Sequence, residues 1–402
     1  MSDTGSTGGL VTQRGLLVAL TVVAATQRFS LAEVPPISSL IGEQASLDSF
    51  GIGLATTLTV VMMALGSPLA ANLDHRLSRE WIIVWGAAAV VVGCAIRAVP
   101  PLSVTLYIGS IIGGLGIAAV GTMVPGVIAE RLPHRVGIAV GSTTFALTLV
   151  AVLVSSFTAP LASRWGATAA MAAWAIPALI ALFIWLPFAR HTLPATGGRN
   201  RLPWRSRSAW LSVALMSAQS ITYILALAWV APSYQEAGIG LDAAGFLLGA
   251  VTLGNMLGAM SAPVIAHRFS DRRPLLMGTV VLTGSGAVYL AVGATTATIP
   301  AMLAFGLGLG GGFGIALALL NDLGATPRST ASLSAMTFLF AYLISAPCAA
   351  IGGWLHDVTG NFSAVWWLVF ATAIIMIPLT LTLGPHRRNS VPEAAIESAL
   401  PV

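Results

Sequence analysis

The chain has 402 residues, of which 56% are hydrophobic and only 8% charged, with a mean hydropathy of +0.88. A soluble globular protein carries about 25% charged residues, so there are too few charges here to cover a water-facing surface, and the chain belongs in a bilayer. The net charge of +5 comes from 19 basic residues, all arginine; lying singly or in pairs between apolar stretches, they set orientation rather than bind nucleic acid.

In chain order, the apolar stretches predict spanning helices near 16–40, 50–72, 81–99, 102–128, 136–161 and 167–189, then 208–232, 243–267, 274–293, 300–322, 331–355 and 363–384. A span needs roughly 20 residues, so twelve with short connections fill this length. The first runs on through Gln27, Arg28 and Pro35–Pro36 without a small-residue cleavage site and reads as a retained helix. It carries Arg28 at mid-span and Glu33 five residues later, about 140° round an ideal helix. Pro35 and Pro36 cannot donate helical hydrogen bonds and should distort the turn just beyond Glu33.

Other polar residues recur along the spans. Arg97 ends the third, where snorkelling to the interface accounts for it. Thr122 lies in the fourth, and Thr143 and Thr148 in the fifth. The seventh holds Gln219, Ser220 and Tyr223, the first and last sharing a face at i,i+4 spacing. Asn255 lies in the eighth, and Asn321 and Asp322 close the tenth. The glycine run at 306–314 follows no strand, so it is read as close helix packing rather than a phosphate cradle. Cys94 and Cys348 fall inside spans and frame neither a disulfide nor a metal site.

Arginines fix the expected orientation. Sixteen of the nineteen, from Arg14 to Arg388, fall on one side; Arg164 lies on the other, and Arg28 and Arg97 lie within spans. The rich side is expected in the cytoplasm, with both termini there. The Pro-, Gly- and Arg-rich stretch 190–207 reads as a cytoplasmic linker between halves at 16–189 and 208–384, flanked by tails at 1–15 and 385–402. A repeat supports the division. Val34-Pro35-Pro36 is echoed by Val230-Ala231-Pro232, Leu47-Asp48 by Leu241-Asp242, and Pro68 by Pro263. Gly116-Ile117-Ala118 is echoed by Gly314-Ile315-Ala316, and Thr144-Phe145 by Thr337-Phe338, all at offsets of 193 to 198 residues. Five matches in order point to duplication. The expected fold is all-α: twelve transmembrane helices in two pseudo-symmetric six-helix bundles, the layout of the major facilitator superfamily, with a solute site at mid-membrane between the halves.

Several stretches resemble one branch of that superfamily, the cyanate and 2-nitroimidazole transporter family. They include Trp174, Pro177, Trp185 and Pro187 in the sixth span, and Gln219-Ser220, Trp229, Pro232 and Gln235-Glu236-Ala237-Gly238 in and after the seventh. Pro263, Arg268 and Asp271-Arg272-Arg273-Pro274 follow, then Thr326-Pro327 and Leu333-Ser334-Ala335-Met336. Arg28, Gly93 and Arg97 also stand at matching positions. Thr143 and Thr148 replace a family tyrosine and asparagine, and Phe29 and an unexpected Glu33 follow Arg28 where the family usually has a proline and small polar residues.

Arg28 carries the sharpest chemistry. An arginine at mid-span costs at least about 2.5–3.5 kcal/mol, so it must face water, a partner or a solute. Its planar guanidinium can grip a small anion in bidentate fashion; an ion pair with Glu33 is the structural alternative. Glu33 is a candidate proton carrier unless the external mouth solvates it. Gln219, Ser220, Tyr223, Thr122, Thr143, Thr148 and Asn255 complete the candidate solute residues, with interhelical bonding as their alternative. Arg97 and Asp322 are candidate gating positions. With no lysine, no G-x-x-x-x-G-K loop is available to bind ATP, and no His, Glu or Cys cluster suits an enzyme. The expectation is a monomeric secondary transporter in the bacterial cytoplasmic membrane. It has no cofactor or metal, and a small anion such as cyanate or a carboxylate moves with proton coupling through Glu33. Export of a hydrophobic or nitro-aromatic compound is the alternative.

Overall fold

The first helix departs from regular bonding well before the two prolines at 35–36. The computed structural model describes residues 4–74, 76–100, 102–190, 202–294, 296–383 and 390–391. Twelve helices among them are long and apolar enough to cross a membrane. These are α1 (Gln13–Ala45), α2 (Ser49–Leu73), α3 (Arg79–Arg97), α4 (Leu102–Arg131), α5 (Pro133–Trp165) and α6 (Ala167–Ala189). After the linker come α7 (Arg207–Glu236), α8 (Leu241–Ala266), α9 (Arg273–Ala291), α10 (Thr298–Leu323), α11 (Ser329–Thr359) and α12 (Ser363–Thr382). The first six and the last six form two bundles. Most of the predicted linker lies outside the described residues.

The break in α1 is longer than the prolines alone predict. Regular helix stops at Ala25; a 3₁₀ turn follows at Thr26–Arg28, one α-turn at Phe29–Ala32, and a second 3₁₀ turn at Pro35–Ile37. Helix resumes over Ser38–Ala45. Arg28 and Glu33 therefore sit in irregular backbone, where the ideal-helix angle between them no longer applies.

The glycine run in α10 does what its composition suggests. A Cβ on Gly306 or Gly310 would run into the carbonyls of Val251 or Asn255 in α8, and one on Gly254 or Gly258 of α8 into those of Leu303 or Leu307, so the two backbones lie close together. Without a hydrophobic drive between helices in lipid, such backbone approach supplies the packing. A Cβ on Gly310 would collide with the Asn255 main chain, which cannot swing aside as a side chain would. Gly310→Ala is thus expected to cost about 1–3 kcal/mol, read as a lowered unfolding temperature of the detergent-purified protein. An alanine at Gly278, which has open space around it, should leave that temperature unchanged.

The bundles meet along α2 with α11, α5 with α8, and the end of α1 with α7. Gln235 Nε2 donates to the Pro36 carbonyl, Thr57 Oγ1 to the Ala346 carbonyl, and Ser163 Oγ to Asp242. Gly53 and Gly353 abut the main chain at Ala349 and Ser49, and Gly245 and Gly249 abut Ala159 and Ser156. These contacts all lie in the half of the bundle farther from the described ends of the chain. The bundles are therefore joined at that end.

Candidate functional site

Arg28 terminates the first 3₁₀ turn of α1 and is half-buried. Its Nε is buried with no hydrogen-bond partner, and no ion pair involves it among the described residues. The expected alternative, a pair with Glu33, is not what forms. Across the interface, Arg28 and Tyr223 of α7 both lie within electrostatic reach of Tyr342 in α11. Neither phenol has a hydrogen bond among the described residues. Tyr342 stacks on toward Phe338 (ring centroids 6.0 Å) and Phe338 toward Phe313 (6.4 Å), extending an aromatic row into α10. The guanidinium of one bundle thus lies within electrostatic range of a phenol of the other.

Beside Arg28, Gln27 Nε2 bonds back to the Ala24 carbonyl at 3.1 Å. Its Oε1 lies where a side chain on Gly121 of α4 would sit. Thr122, next to Gly121, is half-buried. Thr143 and Thr148 of α5 are buried, and both hydroxyls return to carbonyls of their own helix. Asn255 is half-buried on the α8 face that packs against the glycines of α10.

Gln219 takes up the interhelical alternative through its amide nitrogen. Gln219 is 1% exposed, and its Nε2 donates to the Leu309 carbonyl of α10 at 2.6 Å, leaving Oε1 without a donor. Its amide nitrogen fastens α7 to α10. Ser220 is buried beside it. Asp322 accepts from Arg272 Nη2 at 3.1 Å, an ion pair between the α8–α9 connection and the end of α10.

Arg97 departs most from expectation. Its side chain does not snorkel: it is 1% exposed and meets Glu33 Oε1 at 2.6 Å, with Glu33 itself fully buried. Arg97 Nη1 also donates to the Ser30 carbonyl, and Nη2 to Thr59 Oγ1 at 3.1 Å and Ser110 Oγ at 2.8 Å. One guanidinium therefore ties the broken part of α1 to α2, α3 and α4. The irregular turn frees the Ser30 carbonyl, and Gly113 leaves space for the Ser30 side chain. Nearby, the Cys94 thiol lies beside the Glu33 carboxylate, and Nε of Arg97 is buried without a partner. Glu33 is thus neither solvated at a mouth nor paired with Arg28.

The joined end carries a polar latch. Asp357 of α11 accepts from the backbone N–H groups of Ser49 (3.2 Å) and Phe50 (2.8 Å) at the start of α2. Those amides are among the unpaired donors of a helix N-terminus, where a carboxylate is favoured. His356 bonds Ser49 Oγ at 2.8 Å and Glu236 of α7 at 2.9 Å, and stacks on Phe362. Asp357→Asn removes the charge that α2 attracts, and should shift the conformational population toward opening at this end. A cysteine introduced at Ile52 is expected to react faster with a membrane-impermeant maleimide in that variant; an unchanged rate would show that the latch has no weight.

Tyr342, Ser30, Thr59 and Ser110, and Ser49, His356 and Asp357 of the latch, are members of these clusters that sequence reasoning missed. Tyr342 is one of five tyrosines in the chain, and its mid-span position was the available signal. Nothing in the residues around Thr59 or Ser110 marks them.

The family model described as Major Facilitator Superfamily matches residues 17–347. The 2-nitroimidazole transporter of Escherichia coli (strain K12) is 28% identical over 375 residues, covering 92% of this chain and 95% of that protein. The cyanate transport protein CynX of the same organism is 29% identical over 385 residues, covering 92% and 98%. Among solved structures, the inward open conformation of the xylose transporter XylE from E. coli superposes with a TM-score of 0.72 at 14% identity, covering 92% and 95% of the two chains.

Proposed function

The chain belongs to the Major Facilitator Superfamily and is a transporter rather than an enzyme, and from that premise we propose that its solute is a small anion held at Arg28 between the bundles. The observation that carries this reading is a mid-span guanidinium with no carboxylate partner among the described residues, within electrostatic range of the Tyr342 phenol, which has no hydrogen bond there either. Such a site is rich in donors and lacks negative charge, so the occupant brings the charge. Cyanate or a small carboxylate fits that description, and one relative is named for cyanate.

We place the arginine-rich end in the cytoplasm, which makes the joined end external and the described state open inward. Alternating access then means breaking the Asp357 latch and closing the opposite end. Proton coupling belongs to Glu33. A carboxylate whose charge is balanced by Arg97 alone is a group that can exchange a proton when α1 moves.

A second reading has its own support. The row Tyr342, Phe338, Phe313 favours a flat ring, and one relative is named for 2-nitroimidazole. Purified protein is the test: thermal shift with cyanate, acetate and 2-nitroimidazole, followed by flux in proteoliposomes with and without a pH gradient. Saturable stabilisation by an anion, lost in Arg28→Ala, supports the first reading. Stabilisation by the neutral ring alone, retained in Arg28→Ala, overturns it in favour of the second.

A further inference from the structure

The break in α1 is held by both bundles at once. On one side, Arg97 of α3 donates to the Ser30 carbonyl and pairs with the Glu33 carboxylate. Further along the same stretch, the Pro36 carbonyl accepts from Gln235 Nε2 of α7 at 3.0 Å, across the interface. We propose that Gln235 is a positioning residue for the Glu33–Arg97 pair, transmitting the opening of the joined end to that pair through Pro36. The proposal rests on the reading of Glu33 as the proton carrier.

The backbone between the two holds is weak. Glu33 and Val34 lie between the α-turn at Phe29–Ala32 and the 3₁₀ turn at Pro35–Ile37 and belong to neither. Pro35 and Pro36 also lack the N–H groups that a regular helix would return to the carbonyls of Leu31 and Ala32. Neighbouring helices therefore fix this stretch where its own ladder does not. Pro35, Pro36 and Ile37 are all buried, packed on α5 of their own bundle and on α7 and α8 of the other. Gln235 acts on them through its donor: a carbonyl only accepts, so the amide nitrogen faces Pro36, and Oε1 is buried with no partner.

When the bundles separate at this end in alternating access, Gln235 leaves with α7 while Arg97 stays with α3. The bond to Pro36 then breaks, and a stretch without helical bonding of its own is free to shift Glu33 against Arg97. While the end is joined, the same bond holds Glu33 in place. Gln235 thus ties the state of the gate to the pair without touching solute or proton.

The test uses the full-length protein and three variants. Gln235→Leu keeps the bulk and loses the donor, Gln235→Lys supplies a donor again, and Thr57→Val removes a cross-bundle bond made by α2 instead. Cys94, fully buried beside the Glu33 carboxylate, reports on the pair. Cys348→Ser in every sample leaves it as the only thiol. Alkylation of Cys94 by N-ethylmaleimide, followed by mass spectrometry, should be faster in Gln235→Leu by about two- to tenfold, the weight of one hydrogen bond. In proteoliposomes, cyanate uptake driven by a pH gradient should fall severalfold relative to cyanate exchange. Gln235→Lys should reverse both effects, and Thr57→Val should show neither. Unchanged Cys94 alkylation in Gln235→Leu, equal effects of Thr57→Val, or no reversal by Gln235→Lys would overturn the proposal. Faster, reversible alkylation with unchanged pH-driven uptake would uphold the tie and instead end the reading of Glu33 as the proton carrier.

Discussion

Arg28→Ala is expected to weaken binding of the transported anion by about 30-fold to several-thousand-fold, while leaving the protein as stable as before or more so. The range follows from truncating one member of a hydrogen-bonded charge pair, about 2–5 kcal/mol, at 1.4 kcal/mol per tenfold. Arg28 is half-buried rather than fully enclosed, which favours the lower part of that range. The stability half of the prediction is the more discriminating. An arginine that held the bundle together would have a carboxylate to abandon, and Arg28 has none among the described residues. Its buried Nε instead carries an uncompensated desolvation cost that alanine removes. Arg28→Lys should bind at an intermediate level, since an ammonium keeps the charge but loses the planar fork. Isothermal titration and thermal unfolding of the same preparations check both halves. Unchanged anion affinity in Arg28→Ala would end the assignment.

Arg97→Met should destabilise the protein by about 3–5 kcal/mol, because it strands Glu33 as an unpaired charge with no exposed surface. It also releases Ser30, Thr59 and Ser110, which together fix the broken stretch of α1. Adding Glu33→Gln removes the stranded charge, so the double variant should recover most of the loss. This strong non-additivity is expected of two groups in direct contact. Thermal unfolding measures it; simple addition of the two single effects would mean that the pair is not a unit. The recovered double variant also separates structure from coupling. If Glu33 carries the proton, anion exchange should persist in it while uptake driven by a pH gradient is lost.

These two residues show where sequence reading succeeds and where it stops. Arg28 was legible because its cost is local: a guanidinium at mid-span is anomalous whatever surrounds it. The role of Arg97 was not. Snorkelling satisfies an arginine at a helix end, and only the path of α1 brings Glu33 to it from 64 positions away. Gln219 and Tyr223 share a helix face by spacing, but the close approach of α10, permitted by its glycines, turns the amide into an interhelical bond. Tyr342 stands at mid-span in α11, but only the meeting of the bundles brings it within electrostatic range of Arg28.

By itself, the sequence determined the solvent, the number and approximate limits of the spans, and the duplication. These rest on hydropathy, length and internal repetition, which are properties of neighbouring residues and of period. It also marked α1 as irregular, because proline acts on its own turn. The tertiary structure alone decided which polar groups are spent on one another and which remain free. Pairing inside a low-dielectric bundle depends on distances between helices remote in the chain. That is why Arg97 proves to be committed to Glu33, and Arg28 does not.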